Sequence, residues 1–152
     1  MHATEQSLRA ASLATIRSRL AHADARLRRD RAGARVAILA GLIFVPAGLV
    51  KFAFHGWELR AFESFGLPWP SALVILAGLL EIGGGALLVL RLAVVPTALL
   101  LAVTMLVAIG ASGIGHGDVI PSLTLAPALL ASLLFVLART LPARRVPAPR
   151  QQ

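Results

Sequence analysis

Apolar residues run along this chain in four long blocks that are almost free of charge. Residues 36–54 contain one charge, Lys51, and residues 71–90 contain one, Glu81; residues 92–111 and 119–138 contain none. A helix of about 20 apolar residues crosses the hydrocarbon core of a bilayer. Lipid offers no partner to an unpaired backbone group, so each block is expected to be a helix. A helical bundle in water is the competing reading, but the blocks lack the polar faces it needs. The pattern therefore predicts an all-α membrane protein, a four-transmembrane-helix bundle, with a membrane domain over 35–138 and a basic Pro-rich end over 139–152.

Two shorter patterns flank these blocks. In residues 4–31, Leu13, Ile16, Leu20, Ala23 and Leu27 recur at spacings of 3, 4, 3 and 4, one narrow stripe on a helix. Arginines cover most of the remaining surface. Residues 1–34 are thus expected to form an N-terminal amphipathic helix. It could rest on anionic lipid headgroups, form a short coiled coil with a partner or a second copy, or remain a frayed basic tail. Between the first two blocks, Trp57, Ala61, Phe62 and Phe65 share a helical face, which predicts a short helix over 57–66 lying on the membrane surface. Phe52, Phe54 and Trp69 join them in an aromatic belt. Leu67-Pro68-Trp69-Pro70 ends that helix and starts the next.

Charge orients the bundle. Eight arginines precede the first block, Arg91 lies between the second and third, and four follow the fourth, which places thirteen of the fifteen basic residues on one side. The positive-inside rule puts that side, with both termini, in the cytoplasm. Alanine, leucine and arginine usage fits a bacterial plasma membrane protein. Composition excludes further classes. The chain has 152 residues, 57% hydrophobic and 14% charged, and a mean hydropathy of +0.80. An ordinary soluble enzyme and a disordered chain are both ruled out. With no cysteine there is no disulfide, thiolate metal site or thiol nucleophile. The basic surface is mixed with Asp24 and Asp30 and tethered to a membrane, which argues against nucleic acid.

The candidate chemistry lies in the polar residues of the apolar blocks. A charge within hydrocarbon costs several kcal/mol unless it finds a partner, water or the interface. Lys51 lies near the end of its block and Glu81 ten residues into its own. Side chains lean toward a helix's N-terminus, so the two lean toward each other. Gly78, Glu81 and Gly85 share one side of their helix, while Gly41 and Gly48 lie seven apart on the other. Small residues let membrane helices approach closely. Glu81 is therefore expected to face the bundle. It is either half of a structural ion pair, a proton-exchanging or ligand-binding carboxylate in an outward cavity, or a neutral acid bonded to backbone. His55 and His116 fall at the outer boundary, where either could assist proton transfer, the two together could ligate a haem or meet a quinone headgroup, or both are interfacial histidines with no role. His116-x-Asp118 is too little for a metal site. Gly110, Gly113, Gly115 and Gly117 read as a flexible loop. Pro46 and Pro127 are each expected to bend a span.

These residues resemble the DoxX family of small bacterial membrane proteins. The resemblance is carried by Arg35, Gly41-Leu42-Ile43-Phe44-Val45, Ala47-Gly48-x-x-Lys51, Gly66-Leu67-Pro68, Glu81-Ile82-Gly83-Gly84, Met105 and Ala108. It covers about residues 35–138. The family's frequent glycine-rich ending with Ser-Leu-Asp is missing here. The resemblance implies a four-helix membrane fold and a link to electron transfer, since the founding member is similar to a subunit of a quinone-linked thiosulfate oxidoreductase and other relatives are tied to oxidative-stress complexes. On that reading the chain is an integral subunit of a quinone-linked oxidoreductase or oxidative-stress complex, with Glu81 and Lys51 contacting quinone or relaying a proton. A homo-oligomer, or other membrane or cytoplasmic subunits, would be its partners. The alternative is a non-catalytic scaffold that recruits a cytoplasmic partner through its basic helix.

Overall fold

The computed structural model describes residues 2–117 and 123–141, and within them it is helical with no strand. The elements are α1 (His2–Arg29), α2 (Arg31–Ala53), α3 (His55–Ser64), α4 (Pro70–Leu90), α5 (Val94–Ala108), a π-helix (Ile109–Ile114) and α6 (Leu125–Thr140). Three segments are long and apolar enough to cross a membrane: Arg31–Ala53, Pro70–Leu90 and Val94–Ile114. Leu39, Leu42, Leu79, Val103 and Leu106, on the outside of these segments, are all more than half exposed. An apolar exterior on helices of this length is a lipid-facing surface.

The fourth block behaves differently. Residues 119–122 of the expected span lie outside the described residues, as does Asp118. The described helix, α6, is apolar but has 16 residues, or about 24 Å at 1.5 Å each, short of a full hydrocarbon core. Pro127 therefore sits in the first turn of α6, not in mid-span. Proline is tolerated there because its missing N–H would have had no helical acceptor, so the bend expected at this position has no cause. Pro46, by contrast, lies well inside α2.

The core forms where small and branched side chains of four helices meet. Phe44 of α2, Leu88 of α4, Leu101 of α5 and Leu133 of α6 are all fully buried. α2 and α4 approach most closely. A Cβ placed on Gly41 would lie 2.5 Å from the Gly85 carbonyl oxygen, and one on Gly48 would lie 2.7 Å from that of Gly78. Two glycines seven residues apart on each helix thus let the backbones touch.

α1 joins the bundle at one end. Leu27 is fully buried in the core and Ala23 is nearly so, whereas Leu13 and Ile16 are exposed. The stripe is covered over its second half only. Asp24 fixes that half in place. Its carboxylate accepts hydrogen bonds from the backbone N–H groups of Ala93 (2.8 Å) and Val94 (2.9 Å) at the start of α5. The first N–H groups of a helix have no internal acceptor, so a carboxylate from another helix completes the end. Asp30 caps α2 by accepting from Ala32 N–H at 3.2 Å and pairs with Arg139 of α6 at 2.8 Å.

Candidate functional site

At the opposite end of the bundle, α3 packs against α4, and a half-open cavity of about 420 Å³ lies between α3, α4 and α5. That volume falls in the range of small-molecule sites. Trp57, Ala61 and Phe62 of α3, with Phe65 just after it, form the roof. These four residues share the apolar face evident from their spacing. The face is turned onto α4 and the cavity, so its partner is protein as well as lipid. α4 contributes Leu73, Leu76, Ala77 and Leu80, and α5 contributes Leu100 and Val103. Leu76, Leu100 and Val103 are each about half exposed.

The polar groups gather deep in this apolar space. Lys51 Nζ lies 2.9 Å from Glu81 Oε2, and their side chains are 16% and 6% exposed. The glycines set the register that permits this. With Gly41 facing Gly85 and Gly48 facing Gly78, the Lys51 backbone stands level with Ile75, six residues or about 9 Å from Glu81 along the axis. Each side chain leans toward its own helix N-terminus, which for antiparallel helices means toward the other. A long lysine stem and a glutamate span the remaining gap. Lys51 carries three N–H donors and the carboxylate uses one direction, so the ammonium can still donate to a ligand oxygen.

Three further polar residues line the cavity. Glu58, on the polar side of α3 by sequence, reaches its rim. Thr104 lines the wall and donates its hydroxyl to the Leu101 carbonyl at 2.7 Å. Ser112, buried in the π-helix, donates to the Ala108 carbonyl at 2.7 Å. The π-helix corrects the expectation of a loop: Gly110 and Gly113 lie in helical backbone that continues α5. Such turns widen the backbone and are frequent at functional sites. The sequence reading missed Glu58 and Ser112. Their signal was positional: Glu58 stands one residue from Trp57, and Ser112 lies eight residues, about two turns, beyond Thr104.

The histidines are placed elsewhere. His55 begins α3, and His116 lies beyond the π-helix with its ring 5.0 Å from that of Phe65. Neither lines the cavity. His116 Nδ1 is 2.8 Å from the Ala111 carbonyl oxygen, a contact within its own turn. Among the described residues, no group of three or more His, Asp or Glu side chains is placed to hold a metal ion.

Neither the curated proteins nor the solved structures include a match to this chain. The DoxX family model matches residues 34–116, a stretch that begins at the start of α2 and holds α3, α4, α5, the π-helix, Lys51 and Glu81. That match spans more than half of the sequence and covers two of the three segments that, among the described residues, are able to cross a bilayer, with all but the first three residues of the other, and the chain belongs to the DoxX family of membrane proteins.

Proposed function

We infer that this protein is an integral subunit of a quinone-linked oxidoreductase or oxidative-stress complex in a bacterial plasma membrane, with α6 as a fourth span and both termini cytoplasmic. The observation that carries this reading is the apolar cavity with a lysine–glutamate pair at its depth. A quinone is an apolar ring with polar carbonyls on a lipid-soluble tail, and the cavity divides in the same way. Its walls are mostly leucine, valine and aromatic side chains, and its cation is largely buried among them. A quinone supplies two-electron, two-proton chemistry when bound. Lys51 Nζ would hold the carbonyl oxygen through a hydrogen bond. Glu81 would hold a proton at Oε2 or release it, with Glu58 at the rim as the next group toward water. α3 would keep bulk water out. The chain has no cysteine, so electrons would arrive from a partner subunit.

The test uses Trp57, which lines the cavity. In a Trp69→Phe background, Trp57 is the one remaining tryptophan. Titrating this protein in nanodiscs with a short-chain quinone is expected to quench its fluorescence saturably. Glu81→Gln is expected to insert normally but to lose quinone-dependent turnover in membranes. Full turnover in that variant, or quenching that rises linearly with quinone as in bare lipid, would exclude the reading.

A further inference from the structure

The other end of the bundle carries a second concavity, of about 770 Å³, between α1 and the ends of α5 and α6. Its two sides differ in chemistry. The α1 side presents Arg19, His22 and Arg26, spaced three and four residues apart and so on one helical face. The far side is mostly apolar: Val95 and Leu99 of α5 and Leu137 of α6, with Thr140, whose hydroxyl donates to the Leu137 carbonyl at 2.6 Å. Leu99 is 52% exposed and belongs to the lipid-facing surface of α5. The groove therefore runs from a pair of guanidinium groups directly onto hydrocarbon-contacting side chains.

The positive charge here has no acidic counterpart in the groove among the described residues. Among the described residues, Arg19 and Arg26 make no ion pair, and no carboxylate lines the groove. The nearest along α1, Asp24, is engaged by the two N–H groups that start α5. That bond holds α1 across the bundle and keeps the arginine face over the groove. Crossing a bilayer, α5 brings this groove to the level where its headgroups meet its acyl chains.

We propose that the groove is a binding site for one anionic phospholipid, with its phosphate held by Arg19 and Arg26 and an acyl chain lying along Val95, Leu99 and Leu137. Guanidinium groups bind phosphate oxygens in paired hydrogen bonds, and basic pockets beside membrane helices take anionic headgroups. The proposal rests on α5 crossing the bilayer and is independent of the redox reading, whose cavity lies at the opposite end.

The test is native mass spectrometry of the full chain released from detergent with added phosphatidylglycerol, phosphatidylcholine or glycerol phosphate. The wild type is expected to retain one phosphatidylglycerol about 30-fold more tightly than phosphatidylcholine, at about a factor of five for each arginine near the headgroups. Arg19→Gln with Arg26→Gln is expected to bring the two lipids within about threefold. Arg9→Gln with Arg17→Gln removes the same charge from α1 outside the groove and is expected to keep the preference. Equal retention of both lipids by the wild type would overturn the proposal without recourse to any variant. An equal loss in the control pair would also overturn it, by assigning the effect to general charge. Displacement of the lipid by glycerol phosphate would assign the arginines to a soluble anion and overturn it likewise.

Discussion

Lys51 and Glu81 meet because two helices point their side chains at each other, and the sequence carries most of that argument. Direction follows from each helix's sense, and depth from the position within the block. The register came from glycine contacts that spacing alone leaves open. Burial makes the pair sensitive to the loss of either half. Glu81 is 6% exposed, so Lys51→Met leaves a carboxylate in an apolar cavity without its cation. Breaking a buried pair in this way costs about 3–5 kcal/mol. Lys51→Met with Glu81→Leu removes both charges and is expected to recover most of that stability, as apolar replacements of buried pairs do. Reversible unfolding in mixed micelles measures both variants. If the single variant is as stable as the wild type, water rather than Lys51 satisfies Glu81. A stable double variant without quinone-dependent turnover would separate chemistry from folding. Glu58 was harder to read because it lies on the polar side of α3, and only the fold of α3 over α4 brings it to the cavity rim.

At the scale of the element, α2 and α4 depend on four glycines that act as two contacts. The Gly48 Cβ position is 2.7 Å from the Gly78 carbonyl oxygen, and that oxygen belongs to backbone that cannot rotate away. Gly48→Ala is expected to separate the helices and to cost about 1–3 kcal/mol, the usual effect of overpacking. Gly83 provides the contrast on the same helix as Gly78, since nothing lies within 4 Å of its Cβ position. Gly83→Ala is expected to be neutral or to stabilise α4 by up to about 1 kcal/mol through helix propensity. Unfolding midpoints of the two variants check the contrast, and equal losses would mean that glycine matters here for flexibility rather than contact. The seven-residue spacing of these glycines was legible in the sequence. The π-helix was not: four glycines within eight residues read as a loop, yet at membrane depth the backbone must still satisfy its own hydrogen bonds, and it does so in a wider turn. Pro127 misled for the opposite reason. Its effect depends on where α6 begins, which an unbroken apolar block does not mark.

For the whole molecule, the two ends of the bundle differ in chemistry, and that difference bears on orientation. α1 brings arginines to one end, where Asp24 joins it to α5 and Asp30 joins α2 to Arg139. α3 brings aromatic residues to the other, where Phe54, Trp57 and Trp69 are at least 60% exposed. The charge bias that predicts one arginine-rich side was plain in the sequence. The docking of α1 was only half visible, because the leucine stripe gives a face but not its partner, and the Asp24 cap joins residues about seventy apart. Arginine-rich ends stay on the cytoplasmic side during insertion, so the α1 end is expected inside and the α3 end outside. The chain lacks cysteine, which allows a direct check with single introduced thiols. Ala25→Cys on α1 and Ser64→Cys on α3 are both at exposed positions. In intact spheroplasts, a membrane-impermeant maleimide is expected to label Ser64→Cys and to leave Ala25→Cys unlabelled until the membrane is permeabilised. The reverse pattern would invert the molecule, place the proposed lipid groove in the outer leaflet and move the cavity under α3 to the cytoplasmic side. Labelling of both positions in intact cells would mean that α2 does not cross the bilayer, because among the described residues α2 is the one segment between them long and apolar enough to span it.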